Sequence, residues 1–304
     1  MNTLSIVKRI YYRLRKALSL LVNHIKSRRI GDGQYRAKSF FVNRLSLDNE
    51  HEAWLDVAYK AALESKQGVF VDVGANRGQT LGKLLSFDQN REYIGFEPQL
   101  DCCYFISEFI KENRLSTHTL LPVGLSNHSA VLQLLKRSSN VDSTASTIEG
   151  FRPADFYTGR QSIYVAKGDD VFSQMDLSDI SIVKIDVEGG ELEVIEGLQQ
   201  VLRDHKPFVF FEVLNHFLVV TGQKLDEDTI KFRTGRNQQM ENLLREKGYR
   251  IFNILPDNKI TEIARIEPKV SNDLRITDYV AVHHECFSRF VENYKGKIIA
   301  EVTA

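Results

Sequence analysis

The chain is poor in the features that mark many specialised proteins. Its 304 residues include three cysteines, two adjacent (Cys102, Cys103) and one far away (Cys286). That excludes a disulfide framework and gives no metal-binding spacing, so a reducing compartment fits best. No apolar run approaches the ~20 residues that span a bilayer. The longest near the N-terminus, Ala17 to Val22, is interrupted by Ser19, and no small-residue cleavage site follows it. Internal repeats are lacking, and 40 basic residues cancel 40 acidic ones.

That cancellation hides an asymmetry. Residues 1–45 hold 11 Lys/Arg against the single Asp32, so they carry about +10 and the remaining 259 residues about −10. Within residues 4–26, Val7, Ile10, Leu14, Leu18, Leu21 and Ile25 recur at steps of three and four with basic residues largely between them, the pattern of a basic amphipathic helix. A glycine-containing linker, Arg28 to Gly33, follows. The helix suits peripheral contact with an anionic inner membrane face through residues 4–29 of an otherwise cytoplasmic protein. It also has the Arg-rich, acid-poor character of a mitochondrial presequence. Nucleic acid ranks last as a partner, because only Tyr11 and Tyr12 offer stacking surfaces.

Beyond a helix over 52–66, strand and helix alternate. Strands are expected at 69–73, 93–96, 119–123, 181–187 and 208–213, with helices at 79–87, 99–113 and 191–203 between them. These strands are nearly continuous in Val, Ile, Leu and Phe, as in a parallel sheet covered on both faces. The pattern defines a doubly wound α/β fold of the Rossmann-like kind. Between the third and fourth strands, Val131 to Lys167 forms an insertion with a Ser/Thr-rich centre, SSNVDSTASTIEG. It reads as a mobile loop between short strands (131–135, 163–165), a candidate lid with Asp142, Ser143, Thr144 and Arg152 facing a polar acceptor. After a polar excursion (215–237) and a helix to Lys247, strands are expected at 249–254, 261–266 and 279–283, the last two able to close the sheet antiparallel. Residues 1–50, 51–286 and 287–304 divide as N-terminal helix and linker, main domain, and tail.

Ligands of such sheets bind beyond the carboxyl ends of the strands. The first strand runs into VFVDVGANRGQT (69–80), where Gly74 and Gly78 allow backbone to approach a ligand closely. The second ends at Glu97, a carboxylate able to accept from both hydroxyls of a ribose. Both nicotinamide dinucleotides and S-adenosylmethionine carry that ribose. However, GANRG lacks the G-x-G-x-x-G that sets a helix N-terminus against a pyrophosphate, and Asp72 suits a cationic sulfonium ligand better. Asp186 and Glu188 end the fourth strand in VKIDVEGGELEVIEG (183–197).

In this order and at these intervals, VFVDVGANRGQT, YIGFEP, PVGLSN, IVKIDVEGGELEVIEGL and FVFFEV resemble the FkbM family of S-adenosylmethionine-dependent methyltransferases over residues 67–284. The resemblance implies a class I methyltransferase fold, a seven-stranded sheet with an antiparallel last strand, and O-methylation of a hydroxyl on a sugar, glycan or natural product. It also implies that the methionine part meets the loop of Asp72, Gly74, Ala75, Asn76 and Gly78, with Thr80 just beyond. Glu97 would hold the ribose, Leu125 and Ser126 would lie beside the adenine, and Asp186 near the transferred methyl. Candidates for removing the acceptor's proton are Asp186, Glu188, Glu212 and His216. Asp186 and Glu212 offer oxygen ligands of the kind Mg²⁺ takes, but no dense cluster demands a metal. His283 and His284, adjacent on an expected strand, point to opposite faces and are read as structural, as are Cys102 and Cys103. An NAD-dependent oxidoreductase and a non-catalytic binding protein on the same fold remain the alternatives.

Overall fold

The computed structural model describes residues 25–30, 33–38, 52–137, 142–152, 154–214, 227–267, 271 and 273–299. The expected N-terminal helix therefore lies almost wholly outside the described residues. Where the sequence suggests a linker, two strands, β1 (Ile25–Ile30) and β2 (Gly33–Lys38), pair antiparallel from Ile25↔Lys38 to Ile30↔Gly33. Gly33 opens the second of these strands, opposite Ile30.

The chain then alternates through α1 (Asp56–Ser65), β3 (Val69–Val73), α2 (Gln79–Phe87), β4 (Tyr93–Phe96), α3 (Leu100–Glu112) and β5 (His118–Leu121). The hairpin lies against this part, β1 on α2 and β2 on α3. Strands β6 (Gly124–Ser126), β7 (Ala130–Lys136) and β8 (Gly159–Lys167) form a separate sheet in the order β6-β8-β7. The chain returns through α4 (Gly168–Phe172), β9 (Ile180–Ile185), α5 (Glu191–Gly197), α6 (Gln199–Asp204), β10 (Phe208–Glu212) and α7 (Glu227–Glu246). Last come β11 (Tyr249–Leu255), β12 (Lys259–Glu262), β13 (Asp278–His283), α8 (His284–Asn293) and β14 (Lys297–Ile299).

Seven strands of the main sheet lie in the order β5-β4-β3-β9-β10-β13-β11, all parallel except β13, which inserts antiparallel between β10 and β11. Outboard of β11, β12 adds antiparallel and β14 pairs with β12. Of the two strands expected to close the sheet, 279–283 does so from inside, and the other begins earlier, at Lys259, on the edge side. The expected tail is also part of the fold. Phe290 of α8 is fully buried, α8 packs on α1, and β14 joins the sheet.

Alternation along the strands splits the core into two layers. Phe70, Tyr93, Ile182, Phe210 and Val280 face α1, α2, α3 and α8, whereas Val71, Phe96, Val183, Val209 and Ala281 face α5, α6 and α7. Burying an aromatic such as Phe210 contributes roughly 1.5–3 kcal/mol relative to exposure. The expected helix 191–203 breaks at Leu198 into α5 and α6. Gly197 lies so close to β6 that a Cβ there would sit 2.0 Å from the Ser126 carbonyl oxygen. Beyond the break, the Asp169 carboxylate accepts the Gln200 and Val201 N–H groups at 3.0 and 3.1 Å, capping α6. The short strands expected at 131–135 and 163–165 are present and longer, as β7 and β8, which pair from Ala130↔Val165 to Lys136↔Gly159.

Candidate active site

At the end of β3, the backbone turns through left-handed conformations at Gly74 (φ 89°), Asn76 (φ 45°) and Gly78 (φ 79°). A Cβ on Gly74 would lie 1.9 Å from the Asp186 carbonyl oxygen, so the close approach that requires glycine here is to the β9 backbone. The N–H groups of Gly74 and Ala75 donate to the Phe96 carbonyl at 2.9 and 3.0 Å. Asn76 N–H donates to Glu97 Oε2 at 2.8 Å, and Gln99 N–H to Glu97 Oε1 at 2.7 Å. The loop is thereby tied to the end of β4. Glu97 is 3% exposed, and burial pushes its carboxyl up to about 7.

Loop, strand ends and small sheet together enclose a cavity of about 350 Å³, within the range of small-molecule sites. Of the residues singled out from sequence, Gly74, Ala75, Asn76, Thr80, Glu97, Leu125, Ser126, Asp186, Glu188 and Glu212 line it. Gly78 is not at the wall. Neither is Asp72, which is fully buried behind it: Tyr93 Oη donates to Oδ2 at 2.8 Å, and Oδ1 has no partner. His216 lies outside the described residues. Leu134, Ile163 and Val165 of the small sheet form an apolar side that the sequence motifs did not announce.

The α1-facing side of the sheet becomes polar at its strand ends. Asp72, Lys184, Asp186, Glu212 and Asp278 share the strand face of Phe70, Ile182, Phe210 and Val280. Lys184, 7% exposed, sets Nζ 2.8 Å from Asp186 Oδ2. The Thr277 hydroxyl donates to Glu212 Oε1 at 3.0 Å, and Trp54 Nε1–H to Asp278 Oδ2 at 2.8 Å. With one ammonium among several acids, burial dominates. It raises Asp72 to about 6 and Asp278 to about 8, and moves Glu212 well above the carboxylate range. Lys184 and Trp54 are the residues here that sequence reasoning missed. The sign available was a lysine two residues before the strand-end acid, hence on the same face of a buried strand.

Asp186, Glu188 and Glu212 bring one carboxylate oxygen each within 4.8 Å of one another. Oxygen donors of this kind suit Mg²⁺ or Ca²⁺, but Asp186 is already matched by Lys184 and Glu188 by the Arg152 guanidinium. Burial, opposed by Arg152, raises Glu188 to about 8. The candidate lid is pinned at its described start: Gln99 Nε2 donates to the Asp142 carbonyl at 3.0 Å, and Asp142 N–H to Gln99 Oε1 at 3.2 Å. Asp142 and Ser143 line the cavity, whereas the Thr144 hydroxyl turns back to Asp142 at 2.7 Å.

His283 and His284 do not point to opposite faces as expected, because β13 ends at the first and α8 begins at the second. Their rings lie 4.2 Å apart, and with Glu285 they form a second group of potential ligands. His283 Nδ1 nevertheless accepts the Glu285 N–H at 3.3 Å, capping α8, in keeping with a structural role. Burial raises both Cys102 and Cys103, the latter to about 12, which leaves them unreactive thiols.

A parallel sheet in this order, with one antiparallel strand between the last two and a glycine-bearing loop and ribose-type acid at the ends of β3 and β4, defines the class I methyltransferase fold. Residues 72–251, more than half of the chain, match the methyltransferase FkbM domain. The chain belongs to the FkbM family of S-adenosylmethionine-dependent methyltransferases. Among solved structures it is similar to a methyltransferase FkbM from Methylobacillus flagellatus KT (16% identity, TM-score 0.43), covering 71% of this chain and 43% of that one. It therefore spans less than half the length of that relative. It is also similar to an O-methyltransferase from Bacillus cereus in complex with SAH (9% identity, TM-score 0.44; 80% and 85% covered). A third is a precorrin-6y C5,15-methyltransferase from Geobacter metallireducens GS-15 (14% identity, TM-score 0.39; 78% and 91% covered). No curated protein matches the chain.

Proposed function

We propose that the protein transfers a methyl group from S-adenosylmethionine to a hydroxyl of a sugar, glycan or natural-product acceptor. The observation that carries this reading is the convergence of Asp186, Glu188 and Glu212 on a cavity whose other end is the glycine loop and Glu97. Neighbouring strands are about 4.8 Å apart, so Glu97 on β4 and Glu212 on β10 are separated by roughly 14 Å across three strand spacings. That span accommodates a nucleoside at one end and an acceptor at the other.

The residues fit the cofactor. Glu97 keeps lone pairs for a ribose, Leu125 and Ser126 offer an apolar and a polar edge to the adenine, and Gly74, Ala75, Asn76 and Thr80 present backbone and small side chains to the methionine part. Asp72, behind the wall with Oδ1 unpaired, acts through a bound water. When bound, S-adenosylmethionine supplies a methyl group activated on a sulfonium. Asp186 is the base: Lys184 Nζ, 2.8 Å from Oδ2, holds its side chain in place at the cavity, where it takes the acceptor's hydroxyl proton. Glu212, held protonated by burial, donates to another acceptor oxygen, and Glu188, paired with Arg152, accepts from an acceptor hydroxyl, so that both orient the acceptor, with His216 a further candidate base.

The test is to incubate the protein with S-adenosylmethionine and a panel of hydroxylated sugars and glycans, following S-adenosylhomocysteine release and locating the new methyl by NMR. A methyl on nitrogen or carbon, or no turnover with any hydroxylated acceptor, removes the O-methyl reading. The basic N-terminus, about +10 over 45 residues, supports peripheral contact with an anionic membrane face. Among the described residues no helix is long and apolar enough to cross a membrane. Deleting residues 1–24 should release the protein from anionic vesicles, and unchanged binding would end that part of the proposal.

A further inference from the structure

A second, smaller pocket lies on the other side of the loop that ends β9. Val187, Glu188 and Gly190 face the main cavity, whereas Gly189 and Glu191 face this pocket together with Phe151, Arg233, Arg236 and Asn237. Its cavity volume is about 20 Å³, against about 350 Å³ for the main cavity. Gly189 (φ 105°) has no room for a side chain, since a Cβ would meet the Phe151 ring at 2.7 Å.

Arg233 is the anomaly of this pocket. It is 6% exposed, its guanidinium lies 4.5 Å from the centre of the Phe151 ring, and Nη2 donates to the Phe151 carbonyl. Nε and Nη1 are buried with no hydrogen-bond partner among the described residues. The two neighbouring arginines differ. Arg236 is held by both Glu193 oxygens, at 2.7 and 2.5 Å, and Arg152 is paired with Glu188. Burial and the charge of Arg152 push Arg233 down to about 10, so it remains a cation at neutral pH. Among the described residues no acid faces this charge, and burying a charge unpaired is costly. Water can satisfy its N–H groups but cannot neutralise it.

The geometry points to an oxyanion subsite: Arg233, with Arg236 and Asn237 at its rim, receives a phosphate, sulfate or carboxylate group carried by the methyl acceptor. Guanidinium N–H groups donate well to the oxygens of such a group, and Nε–H and Nη1–H are the two left without a partner among the described residues. Because a single loop separates this pocket from Asp186 and Glu188, one molecule can place a hydroxyl in the main cavity and an anionic group here. This rests on the acceptor reading above and deepens it, defining the acceptor as a hydroxylated molecule bearing an oxyanion.

Inorganic phosphate is the probe for the full chain, compared with chloride at matched ionic strength and followed by thermal unfolding. S-adenosylhomocysteine binding is measured on the same samples by calorimetry. The subsite predicts a saturable rise of the midpoint with phosphate that Arg233→Gln abolishes and Arg233→Lys weakens at least threefold in affinity, with S-adenosylhomocysteine affinity unchanged in both. In the activity panel, it predicts at least a tenfold preference for a sugar phosphate over the same neutral sugar, lost in Arg233→Gln. If S-adenosylhomocysteine binds but phosphate adds nothing beyond ionic strength, or acts equally on all three proteins, the subsite is wrong. Should Arg233→Gln fail to fold, the wild-type titration and the Arg233→Lys shift decide alone. Loss of S-adenosylhomocysteine binding by the wild type would instead strike at the proposed function.

Discussion

The two ends of the main cavity are built differently. The loop end is made of backbone: Gly74, Asn76 and Gly78 turn through left-handed conformations, and a single acid, Glu97, ties them to β4. The opposite end is made of side chains from distant parts of the sequence, with Lys184, Arg152, Thr277 and Trp54 each matched to an acid. A site made of backbone leaves a contiguous signature in sequence, whereas one made of matched charges is distributed over five or more elements and leaves little. Under the proposed function the comparison also separates tasks, fixed backbone for an invariant cofactor and adjustable charges for a particular acceptor.

The comparison is broken most severely by Gly74→Ala. Its Cβ would meet the Asp186 carbonyl, and its φ of 89° is strained for any L side chain. The expected loss is roughly 3 kcal/mol or more of stability, read by urea unfolding, together with S-adenosylhomocysteine binding. Wild-type stability would refute the argument from close approach. Next is Asp186→Asn, expected to lower kcat by about 10²–10⁴ while cofactor affinity holds, which would separate the two ends functionally. An equal loss of cofactor affinity would merge them.

Lys184→Met should have a smaller effect on rate. Without the ammonium 2.8 Å from Oδ2, the Asp186 side chain is no longer held in place, so kcat should fall by less than in Asp186→Asn while S-adenosylhomocysteine affinity holds, and Lys184→Arg should restore much of it. A wild-type kcat in Lys184→Met would remove Lys184 from this account of the site.

The least localised effect concerns the whole acid set. Asp72, Glu97, Asp278 and Glu188 titrate near 6, 7, 8 and 8 in the fold, all above their ordinary values because of burial. A raised pKa means the native state holds the proton more tightly. Stability from these groups is thus complete below about pH 4 and is lost as pH rises through 6 to 8. Each group changes stability by up to about 1.4 kcal/mol per pH unit. The urea midpoint of the ligand-free protein should therefore fall between pH 5.5 and 8.5. A flat or rising midpoint would mean that the acids are paired more fully than the structure shows. Asp273, held near 2 by Arg275, acts only below this window.

Much of the fold was legible because buried parallel strands are continuous apolar runs, and β3, β4, β9 and β10 fall close to where those runs lie. Less legible were the places where tertiary contacts override local pattern. The helix over 191–203 breaks because Gly197 rests on the Ser126 carbonyl, an interaction with a strand seventy residues away. The pairing of the insertion's short strands, such as Leu132↔Ile163, was not legible because the polar stretch between them says nothing of pairing. Gly78 is not at the cavity wall, whereas Gly74 and Glu97, which are, were readable from their places at the ends of expected strands. Asp72 was not, since its motif position does not reveal that it sits behind the cavity wall. Arg233 gave no signal at all: on the polar helix α7 it looks like any surface arginine, and only its burial against Phe151 without an acid distinguishes it.

The most direct test is calorimetric titration of the purified full chain with S-adenosylmethionine, S-adenosylhomocysteine and NAD, repeated on Glu97→Ala. Both sulfur nucleotides should bind the wild type, NAD should not, and the variant should lose at least about tenfold in affinity, the equivalent of 1.4 kcal/mol. A folded wild type that binds NAD, or neither sulfur nucleotide, would contradict the assignment of this cavity.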